Sequence, residues 1–133
     1  MMAKIVKGSD FKGVVDYILD KGKGTQVVTY DGLFMANKET IAMSFNIQFQ
    51  INGKVAKPVG HIALCFSKED EPRLTNRVMA GIALEYMERM GIRDTQFFIA
   101  RHFDKEHPHV HIAFNRIDNN GNTISDRHER LRS

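Results

Sequence analysis

Residues 96–116, QFFIARHFDKEHPHVHIAFNR, decide how this chain is read. Residues 96–103 and 108–116 are β-rich runs, and DKE at 104–106 joins them as a short connection. Side chains alternate across a strand, so His109, His111 and Asn115 share one face while Val110, Ile112 and Phe114 turn to the core. His102 ends the preceding strand, and a hairpin brings it beside the pair. Three imidazoles converging from two neighbouring strands make a three-nitrogen metal site with positions left open for water or substrate. One histidine on a solvated sheet face would need no such reading, but three with a carboxylate between them do. Asp104 suits the task of accepting the ring N–H that a metal leaves free. His107 shares parity with His109 but precedes Pro108, where the strand begins, which makes it a candidate only for supporting the ligands. Imidazole-rich ligation favours Mn, Zn, Co or Ni over Mg on softness, and availability can override that order. The expected cofactor is one divalent ion: Mn, Mg, Zn or similar.

Outward from this stretch the chain reads as strand and helix in turn. Residues 3–6 open a sheet, and Ser9 or Asp10 caps a helix to about residue 20 with Phe11, Val14, Val15 and Ile18 inward. KGKG at 21–24 stops it, QVVTY at 26–30 is a short strand, and Asn37 with Thr40 starts a helix running to about residue 50. Residues 59–66 alternate as a strand, with Ile62, Leu64 and Phe66 on one face and His61, Ala63 and Cys65 on the other. The strongest helical pattern covers residues 73–90: Leu74, Val78, Ile82 and Tyr86 recur at i+4 with Met79, Ala83 and Met90 alongside, and Gly91 ends it. DNNG at 118–121 is a turn from which 123–125 returns as a short strand. The order predicts an α+β fold, a two-layer sandwich of a largely antiparallel five-stranded sheet with helices on one face.

The chain of 133 residues, 42% hydrophobic and 26% charged, suits one domain, residues 1–133. A lone Cys65 excludes an internal disulfide and a Cys-rich zinc module, and it fits a reducing compartment. No apolar run approaches the ~20 residues that span a bilayer, and no signal-peptide core is seen, so the expected location is cytoplasmic, with no membrane partner. The net charge of +3 is concentrated early, since residues 1–60 carry eight lysines against five acids. That bias permits phosphate binding without requiring it.

The pattern His102-x-Asp104-x-x-His107-Pro-His109-Val-His111-x-x-x-Asn115 resembles the metal motif of relaxases, the mobilisation nucleases of plasmids and conjugative transposons, which belong to the His-hydrophobe-His endonuclease superfamily. FKGVVDYILD at 11–20 resembles their N-terminal nucleophile motif, and HIALCF at 61–66 their middle motif. The likeness spans residues 5–117 and is closest to relaxases of mobilisable elements. It implies Tyr17 as catalytic nucleophile, although by itself Tyr17 beside Val14 and Val15 reads as core packing. Cys65 stands where the family usually has a serine that holds DNA, so Cys65 or nearby Ser67 is implied as a DNA contact, together with Asn115 at the end of the metal motif. Lys4, Lys7, Lys12, Lys21 and Lys23 flank the nucleophile and can receive DNA phosphates. Relatives generally continue with further helical structure, whereas this chain ends at Ser133 within a helical pattern at 126–132. It is therefore expected to be either a trimmed catalytic domain or a short protein.

The resemblance implies a metal-dependent, origin-specific endonuclease and transesterase. It would nick single-stranded transfer-origin DNA through a 5′-phosphotyrosyl intermediate, with accessory mobilisation proteins and a coupling protein as partners. A phenol with a pKa of ~10 is a poor nucleophile at neutral pH, and a nearby cation favours the attacking form. Asp104 is a second candidate for helping to remove that proton. Three alternatives stay open on sequence. A β-rich metalloenzyme explains the histidines but not Tyr17. A non-catalytic relaxase-like DNA-binding protein accommodates Cys65. A rolling-circle replication initiator of the same superfamily usually carries its tyrosine after the metal motif, not before it.

Overall fold

In the computed structural model, which describes residues 1–124, the two histidine-bearing strands lie inside the sheet. They are β4 (Phe97–His102) and β5 (His109–Asn115), paired antiparallel with His102 opposite His109 and Ala100 opposite His111. On the other side of β5 runs β3 (Val59–Cys65), while β1 (Met2–Gly8) and β2 (Gln26–Asp31) form the edges. The order is β1-β3-β5-β4-β2, and every neighbouring pair is antiparallel.

The helices begin where capping chemistry places them. In α1 (Phe11–Ile18) the Asp10 carboxylate accepts the Lys12 N–H. In α2 (Lys38–Phe49) Asn37 and Thr40 form a reciprocal capping box. A 3₁₀ segment, Lys68–Arg73, precedes α3 (Asn76–Arg89), whose first turn is capped by Thr75. Past Met90, Gly91 takes a φ of 76°, a turn glycine adopts without strain. The return strand expected at 123–125 reduces to one bridge between Ile117 and Thr123. Ser125 and the helical pattern at 126–132 lie outside the described residues.

The class is α+β with a five-stranded antiparallel sheet, as the sequence pattern predicts, but the helices divide between its two faces. Against one face, α1 and α2 set Phe11, Val15, Ile18, Ile41 and Phe45 on Val59, Phe98, Ala100 and Ala113. Against the other, α3 sets Met79, Ala83 and Met87 on Ile62, Leu64, Ile99, Val110 and Ile112. The reason lies in the central strands: every residue of β5 is buried, so both faces need cover. The buried row of α3 is accordingly Met79-Ala83-Met87, while Val78 stays exposed. On the α1/α2 face the helices leave one area open. There Lys4 and Val6 of β1 stand beside His61 and Ala63 of β3, and a cavity of about 500 Å³ opens between β1, β3 and α1.

Candidate active site

Each side chain of the site arrives through strand parity or a helix end. His102, His109 and His111 are all buried, and one ring nitrogen from each lies within 4.8 Å of the others. Their ring centroids are 4.2 Å (His102–His111) and 5.3 Å (both other pairs) apart. Carbonyl oxygens only accept hydrogen bonds, and two of them therefore fix ring protons. His102 donates Nε2–H to the Ile18 carbonyl at 2.7 Å, and His109 donates Nδ1–H to the His107 carbonyl at 3.2 Å. The nitrogens left over are Nδ1 of His102 and Nε2 of His109.

A fourth imidazole joins from β3. His61 pairs with Ala113, so it is a diagonal neighbour of His111 on the same face, and its Nε2 lies 2.8 Å from Nδ1 of His111. Strand alternation puts His61 on this face but assigns it no task, because only the strand order brings β3 against β5. Burial, reinforced by neighbouring histidines and lysines, pushes His61 down to about 4 and His111 down to about 2. Burial likewise lowers His102, against the opposing pull of its bond to Ile18. These three rings are neutral at pH 7, the form in which imidazole offers a lone pair. The donor set therefore fits a divalent metal ion.

The C-terminal end of α1 is tied to this cluster. Helix-end carbonyls need outside partners, and here the carbonyl of Ile18 accepts from both His102 and the Thr25 hydroxyl. The preceding carbonyl, that of Tyr17, accepts from Lys23 Nζ at 3.1 Å, and the same ammonium lies 3.2 Å from the centre of the Tyr17 ring. That ring meets His61 and His111 edge-on, at centroid distances of 5.8 and 6.0 Å. Tyr17 is 52% exposed, so it is a surface aromatic placed against the cluster rather than core packing.

The remaining expected residues separate into two groups. Lys4 and Lys7 line the cavity together with Tyr17, His61 and His111, and Cys65 is exposed opposite His109 on the same face. Lys21 belongs to the 3₁₀ segment Lys21–Lys23 that follows α1. Lys12 is not at the cavity: it pairs with Asp16 at 3.0 Å and lines the groove between α1 and α2. Ser67 caps the 3₁₀ segment and bonds the Glu69 carboxylate, so its hydroxyl is already engaged locally. Asn115 is fully buried and hydrogen-bonded to the Phe45 carbonyl, the Gln96 side chain and the Ile117 N–H; it fastens α2 to the sheet and has no surface to offer DNA. The His107 side chain is exposed, and its carbonyl is what orients His109.

Asp104 sits 3.2 Å from Nε2 of His109. The place expected for it, behind a ligand ring on the nitrogen a metal leaves free, is taken by the His107 carbonyl. Asp104 instead faces the nitrogen that a metal would use, where its carboxylate can join the donor set. Asp104 meets the cluster at His109, whereas Tyr17 meets it at His111 and His61. That separation does not favour Asp104 as the base for Tyr17.

The antiparallel sheet thus carries a buried histidine triad on adjacent strands that could hold a metal ion, with a helix-borne tyrosine beside it. The relaxase family model, described as the MobA/VirD2-like nuclease domain, matches residues 17–133, a span that begins at Tyr17 and contains all three histidines. The chain belongs to this relaxase family. Among curated proteins, none matches it significantly.

Proposed function

We propose that this domain is a metal-dependent, origin-specific DNA nickase and strand transferase, acting on single-stranded transfer-origin DNA in conjugative mobilisation. The observation that carries the reading is the joint between nucleophile and metal site. Tyr17 packs edge-on against His111, and the next residue, Ile18, holds His102 through its carbonyl.

His102, His109 and His111 would hold the ion, with Asp104 at its rim. A bound divalent ion supplies Lewis acidity to a non-bridging phosphate oxygen. The chain's own residues do the rest. Lys4, with an apolar floor at Val6 and Ala63, borders a groove in which one strand can lie with a phosphate on the Lys4 ammonium, while strand alternation turns the Lys7 side chain to the other face of β1. Lys23 holds the Tyr17 ring in place from above. The Tyr17 oxygen attacks phosphorus, the phosphorus–O3′ bond breaks, the phenol proton is lost and the departing 3′ oxygen gains one. The products are a 5′-phosphotyrosyl strand and a free 3′-OH. Phosphodiester energy is retained in the tyrosyl ester, so the joint can be resealed. Accessory mobilisation proteins and a coupling protein would present the origin and receive the nicked strand.

A non-catalytic relaxase-like binder is disfavoured by the completeness of the tyrosine and histidine set. Two measurements test the proposal. Calorimetry with Mn²⁺ should detect one site that is lost when His109 and His111 are both replaced by Ala. Incubation with single-stranded transfer-origin oligonucleotides and Mn²⁺ should give covalent protein–DNA adducts on a denaturing gel. A metal-binding protein that gives no adduct across a matched origin panel would count for the non-catalytic reading.

A further inference from the structure

We propose that His61 is a positioning residue for the metal site: its Nε2 accepts the Nδ1–H of His111 and so leaves Nε2 of His111 free to coordinate. This rests on the metal-site reading above. His102 and His109 have backbone carbonyls to fix their ring protons, but the partner of His111 is a second imidazole, 2.8 Å away. Only one proton lies between those two nitrogens. If it belonged to His61, neutral His111 would carry its own proton on Nε2 and have no lone pair left for an ion. When it belongs to His111, Nε2 is free and His61 keeps its proton on Nδ1. Loading the site therefore selects one of two arrangements of a shared proton, and His61 is the group that accepts it.

Ligand histidines commonly lean on a carboxylate or a carbonyl in this way. Here the acceptor is an imidazole, and the nearby Lys4 and Lys23 ammonium groups oppose its protonation, which keeps it in the neutral form that can accept. His61 also packs edge-on against Tyr17, so one side chain touches both a ligand and the proposed nucleophile. It reaches them because β3 pairs with β5 in a register that makes His61 the diagonal neighbour of His111.

The test is titration of the metal-free protein with Co²⁺, followed by its visible absorption, in the parent and in three variants. His61→Gln places a side-chain acceptor near the lost Nε2, His61→Asn is too short to reach, and His61→Leu has none. We expect Gln to bind Co²⁺ within about threefold of the parent, and Leu and Asn to bind about 10–100-fold more weakly. Thermal melting of the metal-free proteins checks that each folds; should Leu fail to fold, the contrast between Gln and Asn carries the test. Affinities equal to the parent in Asn and Leu would overturn the proposal while leaving the triad intact. Loss in Gln as great as in Asn would also overturn it, because His61 would then act as a ligand rather than as an acceptor. Failure of the parent to bind Co²⁺ would overturn the metal-site reading and this proposal with it.

Discussion

At the scale of single residues, this site is built from neutral imidazoles in a buried place, and that has a consequence for stability. A histidine whose pKa is lowered by folding is protonated more readily in the unfolded chain, so stability rises with pH between the folded and unfolded values. For His61 the window runs from about 4 to about 6.5, and for His111 from about 2 to about 6.5. The metal-free protein should therefore lose stability as pH falls from about 6.5 to about 4, by at most about 1.4 kcal/mol per pH unit for each group fully inside its window. Thermal melts across that range check it, and His61→Gln should flatten the slope. A melting temperature independent of pH would contradict the burial argument. Strand parity makes His109 and His111 legible as a pair from the amino-acid sequence alone. The link from His61 to His111 is not legible there, since it depends on which strand lies next to β5.

At the scale of elements, Asn115 shows how a motif residue can serve the fold. Its amide donates to the Phe45 carbonyl of α2 and to Gln96, whose own amide donates to the carbonyls of Ser44 and Gly32. The pair joins α2, the end of β5 and the loop before β4. Asn115→Ala would strand several buried polar groups, and we expect a loss of about 2–4 kcal/mol in unfolding free energy, measured by urea titration. Well below its melting point the variant should still bind metal and DNA normally; a selective loss of DNA binding at unchanged stability would restore Asn115 to the interface. Strand alternation identifies the face of Asn115, yet α2 covers that face at this end and leaves it open at the other. Periodicity locates α3 well but does not show which side of the sheet it covers, because the central strands are apolar on both.

At the scale of the whole molecule, the net charge of +3 matters less than where the lysines stand. Lys4 borders the cavity and Lys23 caps the tyrosine, so two ammonium groups flank the place where a phosphate would react. No helix among the described residues is long and apolar enough to cross a membrane. If two or three lysines neutralise phosphates, the affinity for single-stranded DNA should fall with salt at a log–log slope of about −1.4 to −2. Fluorescence anisotropy with single-stranded and duplex oligonucleotides measures this. We expect the single strand to bind better, because an unpaired strand can bend its phosphodiester toward the histidine cluster more readily than an intact duplex can. Equal affinity for both forms, or no salt dependence, would contradict the proposed interface.

In the proposed mechanism Tyr17 becomes the covalent carrier of the nicked strand. Tyr17→Phe removes the attacking oxygen and keeps the ring that packs on His61 and His111, so fold and metal affinity should persist while cleavage disappears. Tyr30 is as exposed as Tyr17 but stands on edge strand β2, and Tyr86 packs against the α3 core, which makes both suitable controls. The most direct measurement is peptide mapping of the adduct formed with origin DNA and Mn²⁺. We expect a nucleotide on Tyr17 and on no other tyrosine. A nucleotide on Tyr30 or Tyr86, or nicked DNA with no protein adduct at all, would contradict it.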